Sequence, residues 1–348
     1  MYNRKPTAKD MLALSWATTQ AQRIDNEMTR LMRAIPTVPS IHHYTTIETA
    51  KNILSSNEFW MTDYRFMNDR TEFQHSYEIL MDRLKRHQLL LPKSRQKMLP
   101  IILEAIERNH VPNIFITSFS GARDLKSQWS EYGGNFAGCS LALNTDRVAA
   151  DIANSKFVAY GRDGVVTSRI LCLEVEYNDE KKIAKIDAVL NRYLPVLCKL
   201  FDEGAFYGQT RTTVLAPFCG ALYQLLSSLK NRYSYEEHEV RFTLMLLSTS
   251  VEKSLKTAGM RTPFQRHIRE GEQRPTMTLK RLKESWLPRM RRSMQVNIAT
   301  LVDLISPLSF SEIMLGPRSQ KASEENIREL LKSSHQESVC ISHSEIPY

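Results

Sequence analysis

Cysteine is scarce and scattered. The five residues Cys139, Cys172, Cys198, Cys219 and Cys340 form no metal-knuckle spacing, and their odd number argues against a disulfide framework. Free thiols in a reducing compartment, and so a cytoplasmic location, are the expectation. No stretch approaches the roughly 20 apolar residues that a membrane span needs. The opening MYNRKPTAKDMLALSWATTQ has neither the long apolar run nor the cleavage site of a secretory signal. A Walker loop, a dinucleotide GxGxxG after a strand and a GxSxG elbow are all missing. The glycines of GGNFAG read as a turn. His42-His43 lacks an i, i+4 partner, and His75, His87, His110, His238 and His267 have no ligand spacing, so no metal is expected. There is no internal repeat and no low-complexity tract.

An acidic excess is also missing. The formal net charge is +9, and residues 253–292 carry 12 Lys or Arg against Glu270, Glu272 and Glu284. The rest of the chain balances, so the whole excess falls in one basic insertion. Such a segment creates a local positive field that attracts polyanions. Trp286 and Phe264 add stacking faces, so single-stranded nucleic acid is a reasonable acceptor or guide, with Arg289, Arg291 and Arg292 on its phosphates, and a protein acceptor is the other partner this segment suits. A solvated charged surface is the alternative. The insertion, with Pro263, Pro275 and Pro288, is expected to hold short helices.

With 348 residues, 42% of them apolar, the chain can bury a large core. Ala8 to Ala34 reads as an amphipathic helix ended by Pro36, either packed on the main domain or serving as an oligomerisation arm. Residues 1–36 are therefore an N-terminal helical extension and 37–348 the main domain. Helices are expected over Thr46 to Ser55, Glu72 to Leu91, Lys93 to Asn109, Asp179 to Leu200, Thr212 to Leu229 and Glu324 to Lys332. Strands are expected over Ser40 to Tyr44, Phe59 to Met61, Asn113 to Ser120, Cys139 to Leu143, Ser168 to Tyr177, Glu236 to Leu247, Leu304 to Leu315 and Ser338 to Ser342. Without regular βα alternation, the class is α+β.

Site-type residues concentrate between Ser40 and Phe73: His42, His43, Tyr44 and Thr45 at a strand end, then Asn68, Asp69 and Glu72. Asn68-Asp69 also suits a turn or helix cap. Glu239, where a strand enters the core, either pairs with Arg241 as an ordinary ion pair or serves a site. Trp129, Ser130 and Tyr132 suit loop packing equally well. Cys139 reads as a small core residue.

The blocks HHYTTIETAKNIL, FWMTDYRFMNDRTEF, TSFS, WSEYGGNFAGCSLAL, KNRYSYEEHEVRF and SEIMLGP together resemble the bacterial family catalogued as domain of unknown function 2971. That family is similar in turn to the ADP-ribosyltransferase fold. The resemblance implies a split-sheet core with inserted helices, NAD as substrate, and a toxin or anti-phage role. It also implies a set of one His or Arg, one aromatic or Ser/Thr, and one Glu. Here these are His43 with Tyr44 and Thr45; Ser118, Ser120, Trp129 and Tyr132; and Glu239 as the catalytic carboxylate. Asn68 and Asp69 join the NAD site. Glu236 and Glu237 compete for the catalytic position, and the ExR pattern favours Glu239. The rivals are a nuclease holding Mg²⁺ on Asp69, Glu72, Glu237 and Glu239, and a non-catalytic nucleotide- or protein-binding module.

Overall fold

The computed structural model describes residues 7–32, 37–56, 59–64, 67, 71–108, 113–148, 157–161, 164–168, 170–246, 264–269, 272–279, 310–334 and 336–347. The chain folds into two compact units, each assembled from three separate segments. The N-terminal helix is thus not a free-standing extension. It joins residues 69–114 and 176–232 in one unit, while 34–68, 115–175 and 233–348 form the other.

The first unit is helical. It contains α1 (Ala8–Met32), α3 (Thr71–Leu90), α4 (Lys93–Gln96), α5 (Leu99–Arg108), α7 (Asp179–Asp202) and α8 (Gly208–Leu226). On α1, Ala17, Ala21, Ile24 and Met28 recur at intervals of three and four, and all four are buried. That stripe packs on α8 and α7, which favours the packing role for this helix over an arm. Tyr223 of α8 donates to the Ile106 carbonyl of α5 at 2.8 Å, and Arg83 of α3 grips Asp187 of α7 with two bonds of 2.8 and 2.7 Å.

The second unit is built on a mixed sheet of ten described strands. They are β1 (Ser40–Thr45), β2 (Phe59–Asp63), β3 (Asn113–Ser120), β4 (Cys139–Asn144), β7 (Ile170–Glu174), β8 (Glu239–Leu246), β9 (Phe264–Arg269), β10 (Glu272–Leu279), β11 (Phe310–Leu315) and β12 (Cys340–His343). A separate hairpin, β5 (Phe157–Gly161) and β6 (Gly164–Ser168), pairs only with itself among the described residues. Three helices belong to this unit: α2 (Ile47–Ser56), α6 (Lys126–Glu131) and α9 (Lys321–Ser333). Helices and strands mix without βα repetition, which is the expected α+β class. The described part of the basic insertion is β9 and β10, an antiparallel pair laid against β2, where short helices were expected. Arg289, Arg291 and Arg292 lie outside the described residues.

The spatial order runs β12-β11-β4-β1-β3-β2-β10-β9, and β8 pairs with β3 and β7. Strand β3 therefore has three neighbours but only two edges. It meets β2 at Ile116, opposite Thr62, and β1 at Ser120, opposite His42. One edge must serve two strands, so the sheet divides along β3.

Residues opposed across an antiparallel pair share a face, and successive residues alternate. Ile41 and His43 of β1 oppose Leu143 and Leu141 of β4, and Ile313 of β11 opposes Leu141 in turn. This face carries the main core, joined by Phe59, Phe119, Val240 and Phe242, with Ala50, Ile53 and Leu54 of α2 and Ile327 and Leu331 of α9. The opposite face carries Ser40, His42 and Tyr44 of β1, Ser140 and Ala142 of β4, and Glu312 and Met314 of β11. It is the more polar of the two and largely buried, with Tyr44 and Met314 packed against Trp129 and Phe136.

Candidate functional site

The polar face continues onto β3 and β8. Ser120 opposes His42, so Ser118 and Ser120 lie on the His42 side. Phe119 and Phe242, with ring centroids 4.6 Å apart, belong to the apolar side, so Glu239, Arg241 and Thr243 fall on the polar one. The start of β8 is tied to the end of β3. Gly121 N donates to His238 O at 2.7 Å, and Ser120 Oγ donates to Glu237 O at 2.7 Å. His238 makes that junction with φ of 44°, in the left-handed region. Three neighbouring strands thus present His42, Ser120 and Glu239 on one face.

This arrangement changes the expected set in one respect. His43 does not share a site with Glu239. Its side chain lies on the apolar face, with ring centroids 5.1 Å from Phe59 and 5.5 Å from Phe119. Its Nδ1 donates to the Ser118 carbonyl at 3.0 Å, and burial holds its pKa below the ordinary value. Thr45 lies on the same face as His43, since it opposes Cys139. The period of two decides the matter: His42, one residue earlier, is the histidine that meets Ser120.

Tyr44 is on the polar face. Its hydroxyl donates to Ala122 O at 2.7 Å and accepts from Leu125 N at 3.2 Å, and burial raises its pKa. Trp129, fully buried, stands edge-on to Tyr44 with centroids 4.8 Å apart. Its Nε1 donates to Asp124 Oδ1 at 2.5 Å. Asp124 also accepts from Ser344 Oγ and from Glu345 N, each at 2.8 Å, so the C-terminal residues are bound to the same loop. Tyr132, 37% exposed, follows α6. Gly138 lies in the turn leading to β4, where a Cβ would meet Thr45 O at 2.1 Å. Asn68 and Asp69 lie outside the described residues.

Glu239 and Arg241 form a bidentate ion pair, with both bonds 2.8 Å long and side chains 5% and 2% exposed. Of the two readings left open for Glu239, the ion pair is present. Glu236 and Glu237 belong instead to the 3₁₀ turn Arg232–Glu237 that precedes β8.

Buried polar atoms normally find partners. Here His42 Nδ1, Ser118 Oγ, Ser140 Oγ and Thr243 Oγ1 are buried without one among the described residues, and all four side chains lie on the polar face. Burial lowers the His42 pKa from 6.5 to about 4, Glu312 opposing the shift and Arg123 adding to it. A neutral buried imidazole contributes stability that is complete above pH 6.5 and is lost as pH falls toward 4, because the unfolded chain binds the proton first. The shift corresponds to about 3 kcal/mol. Melts of wild type and His42→Gln between pH 7 and 4 should diverge, with the variant less steep. Equal slopes would mean that His42 is hydrated.

Outside this face, the helical unit has an open groove of about 560 Å³ lined by His87, Leu91, Arg95, Leu194, Pro195 and Cys198, among others. None of the expected site residues lines it. Burial raises the thiols of Cys139 and Cys172 to about 12, so neither is a ready nucleophile. Among the described residues, no group of three or more His, Cys, Asp or Glu is placed to hold a metal ion, and no helix is long and apolar enough to cross a membrane. Sequence reasoning passed over Arg123 and Glu312, which pair over this face. Their 189-residue separation left no local signal.

No family model, curated protein or solved structure matches this chain.

Proposed function

We propose that the polar face binds NAD and that the protein is an ADP-ribosyltransferase-like enzyme acting on a macromolecule. The observation that carries this reading is that His42, Ser120 and Glu239 lie on the same face of β1, β3 and β8. On this reading His42 donates to the bound NAD through Nδ1. The Glu239 carboxylate, paired with Arg241, opposes the positive charge that develops on the ribose as its C1′–N bond breaks. Nicotinamide leaves with the bonding pair, and an acceptor nucleophile bonds C1′ and gives up its proton. Glu239 is 5% exposed, so NAD reaches it only when the residues covering this face move aside. The basic insertion is the proposed route to a nucleic-acid acceptor, and a defence or toxin role is the proposed context.

The test is incubation with NAD labelled in both halves, following nicotinamide release and transfer of the label. Wild type should release nicotinamide. His42→Ala should lower kcat/KM about tenfold, as loss of one hydrogen bond near 1.4 kcal/mol would. His43→Ala should act on stability instead. Release no faster than in protein-free controls rejects the enzyme.

A second reading, a non-catalytic nucleotide-binding module, is favoured by the two bonds that already engage the Glu239 carboxylate. NAD binding without release would select it.

A further inference from the structure

Arg123 follows β3 by three residues, yet its guanidinium reaches β11. Its Nε donates to Glu312 Oε2 at 3.0 Å and its Nη2 to Glu312 Oε1 at 2.7 Å. The registers set Ser120, His42, Ala142 and Glu312 in one row across β3, β1, β4 and β11. The loop that carries Arg123 is also held to this face, by the bond from Tyr44 to Ala122. The Arg123–Glu312 pair therefore bridges the row that holds His42 and Ala142. Both members act on the charge of His42.

Three properties of this row describe a receptor for an anion. Arg123 is 49% exposed, and among the described residues Nη1 has no partner, so one edge of its fork is open. Glu312, 18% exposed, occupies the other edge and is shared with Ser342 Oγ at 2.6 Å. His42 is 1% exposed, with Nε2 on Ser40 Oγ at 2.9 Å and Nδ1 buried without a partner among the described residues. When the Ser40 hydroxyl donates to Nε2, the ring proton sits on Nδ1, which is then a buried donor with nothing to bond.

We propose that Arg123 and His42 form a phosphate-binding subsite, and that Glu312 is the internal anion that an incoming phosphate or pyrophosphate displaces. The guanidinium fork fits a phosphate bidentately, as it now fits the carboxylate, and the phosphate carries more charge. Displacement frees Ser342 and brings a phosphate oxygen toward Nδ1. The ligand class is a nucleotide bearing a pyrophosphate. The proposal rests on the reading of this face as a dinucleotide site and adds where the pyrophosphate is held.

The test is calorimetric titration of the full chain with inorganic pyrophosphate and with ADP-ribose, neither of which requires bond cleavage. Wild type should bind both. Arg123→Gln should weaken binding about tenfold, and Arg123→Lys should also weaken it because the ammonium lacks the fork. Glu312→Gln should tighten binding about tenfold, since the competing charge is gone. Circular dichroism melts check that each variant is folded. Wild type that binds neither ligand, Arg123→Gln that binds as wild type does, or Glu312→Gln that binds more weakly overturns the subsite. Pyrophosphate binding that depends on Arg123, without nicotinamide release, keeps the subsite and ends the transferase reading. Nicotinamide release by Arg123→Gln at the wild-type KM does the reverse.

Discussion

Replacing Glu239 by Leu while Arg241 stays in place is expected to cost about 3–5 kcal/mol of stability, because a buried guanidinium loses its counter-charge. The two side chains are 5% and 2% exposed, so water cannot take over. Changing both, Glu239→Leu with Arg241→Met, should recover most of that loss, since apolar residues of similar volume often replace a buried pair at little cost. Urea melts of the single and double variants measure this directly. A single variant within about 1 kcal/mol of wild type would mean that the pair is hydrated in solution. The milder Glu239→Gln is affected too: it still bonds but no longer neutralises Arg241, so lost activity must be read beside its stability. A stable double variant that releases no nicotinamide would place Glu239 in the chemistry. A double variant with wild-type release would confine the pair to structure.

Trp129→Ala should be nearly as costly, at about 3–5 kcal/mol. The ring is fully buried, meets Tyr44 edge-on at 4.8 Å and donates to Asp124. Trp129→Phe keeps much of the packing and loses the hydrogen bond, so about 1 kcal/mol is expected. Thermal melts of the two variants should therefore rank clearly. If Ala costs under about 1 kcal/mol, Trp129 does not hold this loop on the sheet.

Much of the secondary structure was legible because its periodicity is local. Asn113–Ser120 forms a strand over the very residues expected, and Asp179–Asp202 and Lys321–Ser333 extend their expected helices by a few residues. The site was less legible because the choice between His42 and His43 turns on parity. Both residues fit the end of a strand. Only pairing in register, with Thr45 opposite Cys139 and His42 opposite Ser120, decides which imidazole shares the face of Ser120. Arg241 was nameable from its spacing to Glu239, because a period of two is itself local. Arg123 and Glu312 were not, because their relation exists only once β3, β1, β4 and β11 lie side by side. The division into two units was equally hidden. No linker marks it, since the chain alternates between them.

That alternation has a consequence for biosynthesis. Helix α1 buries Ile24 and Met28 in a unit completed by α8, which begins at Gly208. At about 5–20 residues per second, a ribosome needs roughly 10–40 s to travel from one to the other. Throughout that interval the apolar stripe of α1 has emerged without its final partner. A chaperone that shields such a stripe during synthesis would keep it from aggregating before α8 emerges.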